Sequence, residues 1–164
     1  MFGKIKKLIL DTVFKISPQP VLFSELMIAN KQFNEGMHLK GINLGYRLKL
    51  GKTYLVFLLL AHVFILPGSY ILHEVFATAD CHLSIITAVL FTMFLFAFFG
   101  MFKEWLFDEI ASIRIQHAWK IHFPHFPYEE YKNTVSKIYN EALDEDIQKV
   151  DLERYILDKL IEIN

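Results

Sequence analysis

Two stretches, TYLVFLLLAHVFILPGSYILH at residues 53–73 and CHLSIITAVLFTMFLFAFFGMF at residues 81–102, decide the fold. Each is free of Asp, Glu, Lys and Arg, the first over 21 residues between Lys52 and Glu74, the second over 22 between Asp80 and Lys103. A helix rises ~1.5 Å per residue, so about 20 residues cross the ~30 Å hydrocarbon layer of a bilayer. Both stretches are apolar on every face rather than along one stripe. A chain of 164 residues has too little other material to wrap two such helices in a soluble interior. The expected fold is therefore an all-α membrane protein: a two-span antiparallel transmembrane hairpin, with spans at about 53–73 and 81–103. The seven residues 74–80 are too few for anything but an antiparallel return.

Working outward, the flanks set the orientation. The first 52 residues carry nine Lys and Arg and the stretch from residue 103 onward carries eight, whereas residues 74–80 carry none. The positive-inside rule then puts both termini in the cytoplasm. With 14 Lys to 3 Arg, a composition common in AT-rich bacterial genomes, the expected location is a bacterial inner membrane. The same flanks divide the chain into a basic N-terminal segment (1–52), the hairpin (53–107) and an acidic C-terminal tail (108–164). The overall charge of −1 hides this asymmetry, because nine basic and three acidic residues precede residue 53 while eight basic and 13 acidic residues follow residue 102. Opposite tails on one side of a bilayer can pair with each other, or the basic one can face anionic lipid. No basic-aromatic surface motif points to nucleic acid.

Residues 1–16 read as a basic amphipathic helix with Phe2, Ile5, Ile9, Val13 and Ile16 on one face. Lys4, Lys6, Lys7 and Lys15 are its candidate membrane-surface residues, reaching phosphate while the Ile stripe meets acyl chains. The apolar run after Lys7 is broken by Asp11 and Lys15 and has no small-residue cleavage site, so a cleaved signal peptide is not expected. Pro18 and Pro20 end this segment, and residues 21–35 suit a second helix with Leu22, Leu26, Ala29 and Phe33 on one side. Between Gly36 and Gly51, Ile42, Leu44, Tyr46, Leu48 and Leu50 alternate with polar residues or glycine. That is a strand pattern with no evident partner, so an extended or irregular approach to the membrane is expected.

Pro67 should kink the first span, and the second should run on to about Ile121 because no breaker precedes Pro124. Beyond Pro127, cytoplasmic amphipathic helices are expected: Tyr128, Tyr131, Val135, Ile138 and Ala142 mark one, with Glu129 and Glu130 in its first turn. After an acidic break at 144–146, Leu152, Ile156, Leu160 and Ile163 mark another. Two short helices cannot enclose a core alone, so these faces must rest on the N-terminal segment, on the membrane or on another protein.

Chemistry-bearing residues fall in three places. His62 lies mid-span, where an ionisable group is costly and should be neutral. Counting inward from the turn puts His62 level with Thr92 and Tyr70 level with Ser84, so interhelical polar contacts are expected for both pairs. The second span has no mid-span histidine, which excludes bis-histidine haem within one copy. At the mouth of the hairpin, His73, Glu74, Asp80, Cys81 and His82 supply ligand types suited to zinc or copper, at no established metal spacing. The single cysteine rules out an internal disulfide. His117, His122 and His125 form a second candidate metal group. The first two are five residues apart, about 140° around a helix, and do not share a face. Glu104 and Asp108, one turn apart, suit a solvated helix face.

No cofactor and no catalytic motif is read from this pattern. The expected function is that of a non-catalytic accessory, assembly or scaffold subunit, binding a larger membrane or cytoplasmic complex through its tails. Two alternatives remain open. One is a metal or redox-cofactor protein using the hairpin mouth or the His117 group, and the other a small homo-oligomeric channel or transporter lined by His62, Thr92 and Tyr70.

Overall fold

A computed structural model describes residues 2–37, 39, 41–77 and 81–163, with only the backbone described for 2, 71–76 and 81–84. The described residues form six helices and two short strands: α1 (Phe2–Val13), β1 (Phe14–Ile16), α2 (Phe23–Asn34), β2 (Tyr46–Leu48), α3 (Leu50–Ala77), α4 (Cys81–His122), α5 (Tyr128–Asp144) and α6 (Leu152–Ile163). They fall into two compact units, residues 1–15 with 47–108 and residues 16–46 with 109–164. The basic N-terminal segment is thus shared between both.

The first unit holds α1, α3 and α4 as far as Asp108. Both long helices meet the length and hydropathy needed to cross a membrane, α3 over Leu50–Tyr70 and α4 within Ile85–His122. A core helix of a soluble protein passes the same length test, but it would be buried. Here 11% of the apolar stretch in α3 and 0% of that in α4 is buried. Pro67 sits inside α3, which continues through it. Among the described residues of this unit, the buried ones lie at the foot of the long helices and on α1 and β1: Leu10, Val13 and Phe14 with Thr53, Phe57 and Leu106. An aromatic chain joins α3 to α4 at the same level. Tyr54 and Phe57 meet Phe99 at 5.4 and 5.3 Å between centroids, Phe57 meets Phe102 at 5.6 Å, and Phe102 stacks on Trp105 at 5.9 Å. Such offset and edge contacts are worth ~0.5–1.5 kcal/mol each beyond area burial. Phe91, Phe94 and Phe98, at helical spacing along α4, stay exposed.

The expected helix over 1–16 ends at Val13, and Phe14–Ile16 is a strand instead. It is the partner that the alternating stretch lacked in the sequence reading: β1 pairs with β2 in a two-stranded sheet. Lys49 N donates to Val13 O at 2.7 Å and Ser17 N to Gly45 O at 2.7 Å, one position falling as the other rises, so the pair is antiparallel.

The second unit holds α2, α4 from Glu109, α5 and α6. Leu26, Met27 and Ala29 of α2, Ala111, Ile115, Ala118 and Trp119 of α4, Val135, Ile138 and Ala142 of α5, and Leu152, Ile156 and Leu160 of α6 form one core, closed by Val21, Leu44 and Phe123. Each fully buried large side chain contributes about 1.5–3 kcal/mol. The amphipathic faces of α5 and α6 therefore cover each other, α2 and the second half of α4. Docking of the N-terminal segment on the acidic tail is apolar and amide-based. Asn30, fully buried, donates through Nδ2 to Lys132 O at 2.9 Å and Ser136 Oγ at 2.8 Å, and Lys31 Nζ donates to Asn140 Oδ1 at 2.7 Å.

Two helix ends in this unit use the same device. Met37 N bonds to Gln32 O at 2.8 Å past Gly36 (φ 67°), and Ile147 N to Ala142 O at 2.9 Å past Asp146 (φ 53°). A left-handed residue there lets trailing amides cap orphan carbonyls. The acidic break of the sequence is this turn, with an aspartate where glycine is the unstrained choice.

Candidate functional site

The second half of α4 has two sides. Toward the core, Arg114 is 8% exposed and its Nε donates to Leu44 O at 2.8 Å. Burial lowers this guanidinium from its ordinary value, though an arginine stays charged at neutral pH. Gly45 (φ 71°) lies against it, and a Cβ there would come 2.9 Å from Arg114 Nη2. Trp119 Nε1 donates to Phe126 O at 2.7 Å, and its ring meets Phe123 at 4.6 Å and Tyr128 at 5.1 Å. Tyr128 is pushed up to about 12 by burial and then by the charge of Glu129. These contacts fix which side of α4 faces inward.

The outward side is set by the remaining periodicity. Ile113, His117 and Ile121, four residues apart, form one stripe. Ile113 is 45% and Ile121 51% exposed, and His117 is exposed between them. Gln116 and Lys120, also exposed, border it. The sequence set His117 and His122 on different faces of one helix, and the packing makes that of His117 the outer one.

His122 and His125 do not join His117. His122 Nδ1 lies 2.9 Å from Glu153 Oε1 and its Nε2 lies 3.1 Å from Val21 O, with Phe23 edge-on to the ring at 5.4 Å. Both ring nitrogens thus face acceptors within the bundle, a carboxylate on one side and a carbonyl on the other. The histidine ties α4 to α6 and to the segment before α2. His125 is exposed in the turn before α5. Among the described residues, no three His, Cys, Asp or Glu side chains could hold a metal ion together. Glu104 and Asp108 are exposed.

The mid-span contacts also differ from expectation. His62 Nδ1 lies 2.7 Å from Leu58 O, and Thr92 Oγ1 donates to Ala88 O at 2.8 Å. Each is bonded to the carbonyl one turn back on its own helix rather than across to the other. Such a bond is always within reach, whereas a cross-helix one requires both side chains at the seam. Because Leu58 O can only accept, Nδ1 is the donor in this bond. His62 is exposed and Tyr70 is 86% exposed. The Tyr70–Ser84 pairing and the hairpin-mouth group lie outside the described residues: Asp80 is not described, and His73, Glu74, Cys81, His82 and Ser84 only as backbone.

One further hollow is lined by Ser17, Gln19, Pro20, Leu22, Glu25, Asn43 and Gly45. Its polar groups are engaged in local turns: Ser17 Oγ accepts from Gln19 N, Glu25 Oε2 from Asn43 N, and Asn43 Oδ1 from Gly45 N. It reads as a loop scaffold rather than a ligand site.

No protein-family model, curated protein or solved structure matches the chain. Fold and surface thus define a helical chain with two exposed helices long and apolar enough to span a membrane.

Proposed function

We propose that this chain is a two-span anchor, an antiparallel hairpin of α3 and α4, that holds a helical bundle at the cytoplasmic face of a bacterial inner membrane. In this reading it is a non-catalytic accessory or scaffold subunit that binds a larger protein. The observation carrying the reading is the exposed Ile113–His117–Ile121 stripe, on the same helix whose preceding half is apolar and exposed. At ~1.5 Å per residue the 42 residues of α4 extend about 63 Å, twice the ~30 Å a bilayer core requires. A partner seated on the stripe is thereby tied to the membrane by one unbroken helix. Most of the α5 and α6 faces is taken up in the bundle core, with Ile163 at the end of α6 left exposed. The bundle unit carries nine Lys and Arg against 13 Asp and Glu. It suits a partner with an apolar ridge bordered by basic side chains.

Gentle solubilisation and pull-down test this. The wild-type chain should bring down one stoichiometric partner, and the double variant Ile113→Glu with Ile121→Glu should lose it while keeping its circular dichroism. Recovery of the chain alone, or capture that the variant leaves intact, overturns the reading.

A second reading, self-association into a channel or transporter, is favoured by His62 and Tyr70 being exposed on a helix of membrane-spanning length. In that case copies cover these polar groups, and His62→Phe abolishes flux. An accessory subunit tolerates the same change.

A further inference from the structure

Helix α1 uses only one edge of its apolar arc to pack on the protein. Leu10 and Val13 are 3% and 0% exposed, whereas Ile5 and Leu8 are 45% and 67% exposed. At 100° per residue, Leu8, Thr12, Ile5 and Ile9 follow one another around the helix on the side away from Leu10. Thr12, the polar member of that arc, donates its hydroxyl to Leu8 O at 2.7 Å, which satisfies it within the helix. Lys4 and Lys7, both exposed, border the arc on the side where the sole acid of residues 1–15, Asp11, lies, and exposed Lys15 follows.

The far end of α1 is fixed to the foot of the two long helices, within the same compact unit. Lys49 N donates to Val13 O at 2.7 Å, and the Phe14 ring sits edge-on to Phe107 at 5.8 Å. Lys49 and Lys52 precede the apolar run of α3, and Lys103 follows that of α4. In the hairpin reading, on which this inference rests, that level is the headgroup layer.

We infer that α1 is an interfacial helix that docks on an anionic bilayer surface, with Ile5 and Leu8 at the acyl boundary and Lys4 and Lys7 on lipid phosphate. Neither half of the arrangement suffices alone. Two exposed aliphatic side chains bind lipid marginally, and the lysines add attraction that depends on lipid charge. The partner is therefore an anionic leaflet rather than a second protein: lysines beside an aliphatic arc complement phosphate above acyl chains.

The test uses the full chain with Cys81→Ser and one spin label, at Leu8→Cys or at Phe94→Cys, in nanodiscs of phosphatidylcholine with or without phosphatidylglycerol. Collision with oxygen reports acyl depth, and collision with a nickel chelate reports water. The Leu8 label should become oxygen-accessible and nickel-protected when phosphatidylglycerol is present. It should return at least severalfold towards the nickel-accessible state in phosphatidylcholine alone, or when Lys4→Gln and Lys7→Gln are added. A Leu8 label open to nickel in the anionic bilayer, while the Phe94 label is deep, overturns the inference and leaves the hairpin standing. Both labels open to nickel overturns the hairpin itself. Depth at Leu8 independent of lipid charge, or protection from both reagents as under a second protein, also overturns the inference.

Discussion

The two halves of α4 are one continuous helix, the first apolar on all sides and the second apolar on part of its surface, and they are buried in opposite ways. In residues 85–105 the side chains stand outward: Ile85 is 61% exposed, Phe96 67% and Met101 63%. From residue 106 onward one face closes completely, with Leu106 and Ile115 at 0% and Trp119 at 1%. Polar residues make the difference. Glu109, Gln116 and Lys120 interrupt the second half at helical spacing and leave the opposite side to be covered by protein. Lipid is as apolar as leucine, so it rewards an all-round apolar surface without requiring any one residue to fit. A protein core rewards interdigitation and penalises the loss of each group within it.

The largest expected effect comes from testing that contrast directly. Trp119→Ala should cost the bundle about 3–5 kcal/mol and remove its near-ultraviolet dichroism, whereas Phe96→Ala should cost about 1 kcal/mol or less. Chemical unfolding in detergent checks both, and equal losses would break the comparison. Next is Asn30→Ala, which removes the buried donor from α2 to Lys132 O and Ser136 Oγ but leaves Asn34 Nδ2 within 3.3 and 3.2 Å of the same two atoms. A loss of about 0.5–1.5 kcal/mol is expected in the same assay.

A pH titration sharpens the comparison on the bundle side. Tyr128 is raised from 10.0 to about 12, so the folded state keeps its phenolic proton after the unfolded chain has lost it. Its contribution is fully present below pH 10 and disappears as the pH rises through about 12. Phenolate absorbance of the folded protein should show this tyrosine ionising late, and Tyr128→Phe should flatten stability across that window. The smallest effect is a gain. Asp146→Gly relieves a left-handed residue that Gly36 shows in its unstrained form, and should raise stability by a few tenths to about 1 kcal/mol.

Parts of the chain were legible without any fold. The two apolar runs, their length, the continuation of the second to the edge of Pro124, and the faces of α5 and α6 all follow from periods of one residue type along one helix. The limits of that reading appear at particular residues. In α1 the sequence stripe ran through Ile5 and Val13, but the packing took Leu10 and Val13 and left Ile5 outside. His117 and His122 looked alike in the sequence. One ended on an open stripe and the other between Glu153 and Val21 O, 31 and 101 residues away.

By itself, then, the sequence determined that two helices are long and apolar enough to cross a bilayer, because length and hydropathy are local sums. Only the tertiary structure decided what covers α5 and α6, which strand pairs with residues 46–48, and which groups His62, Thr92 and His122 bond to. Those outcomes depend on which distant groups come within bonding distance. No period along the chain encodes that.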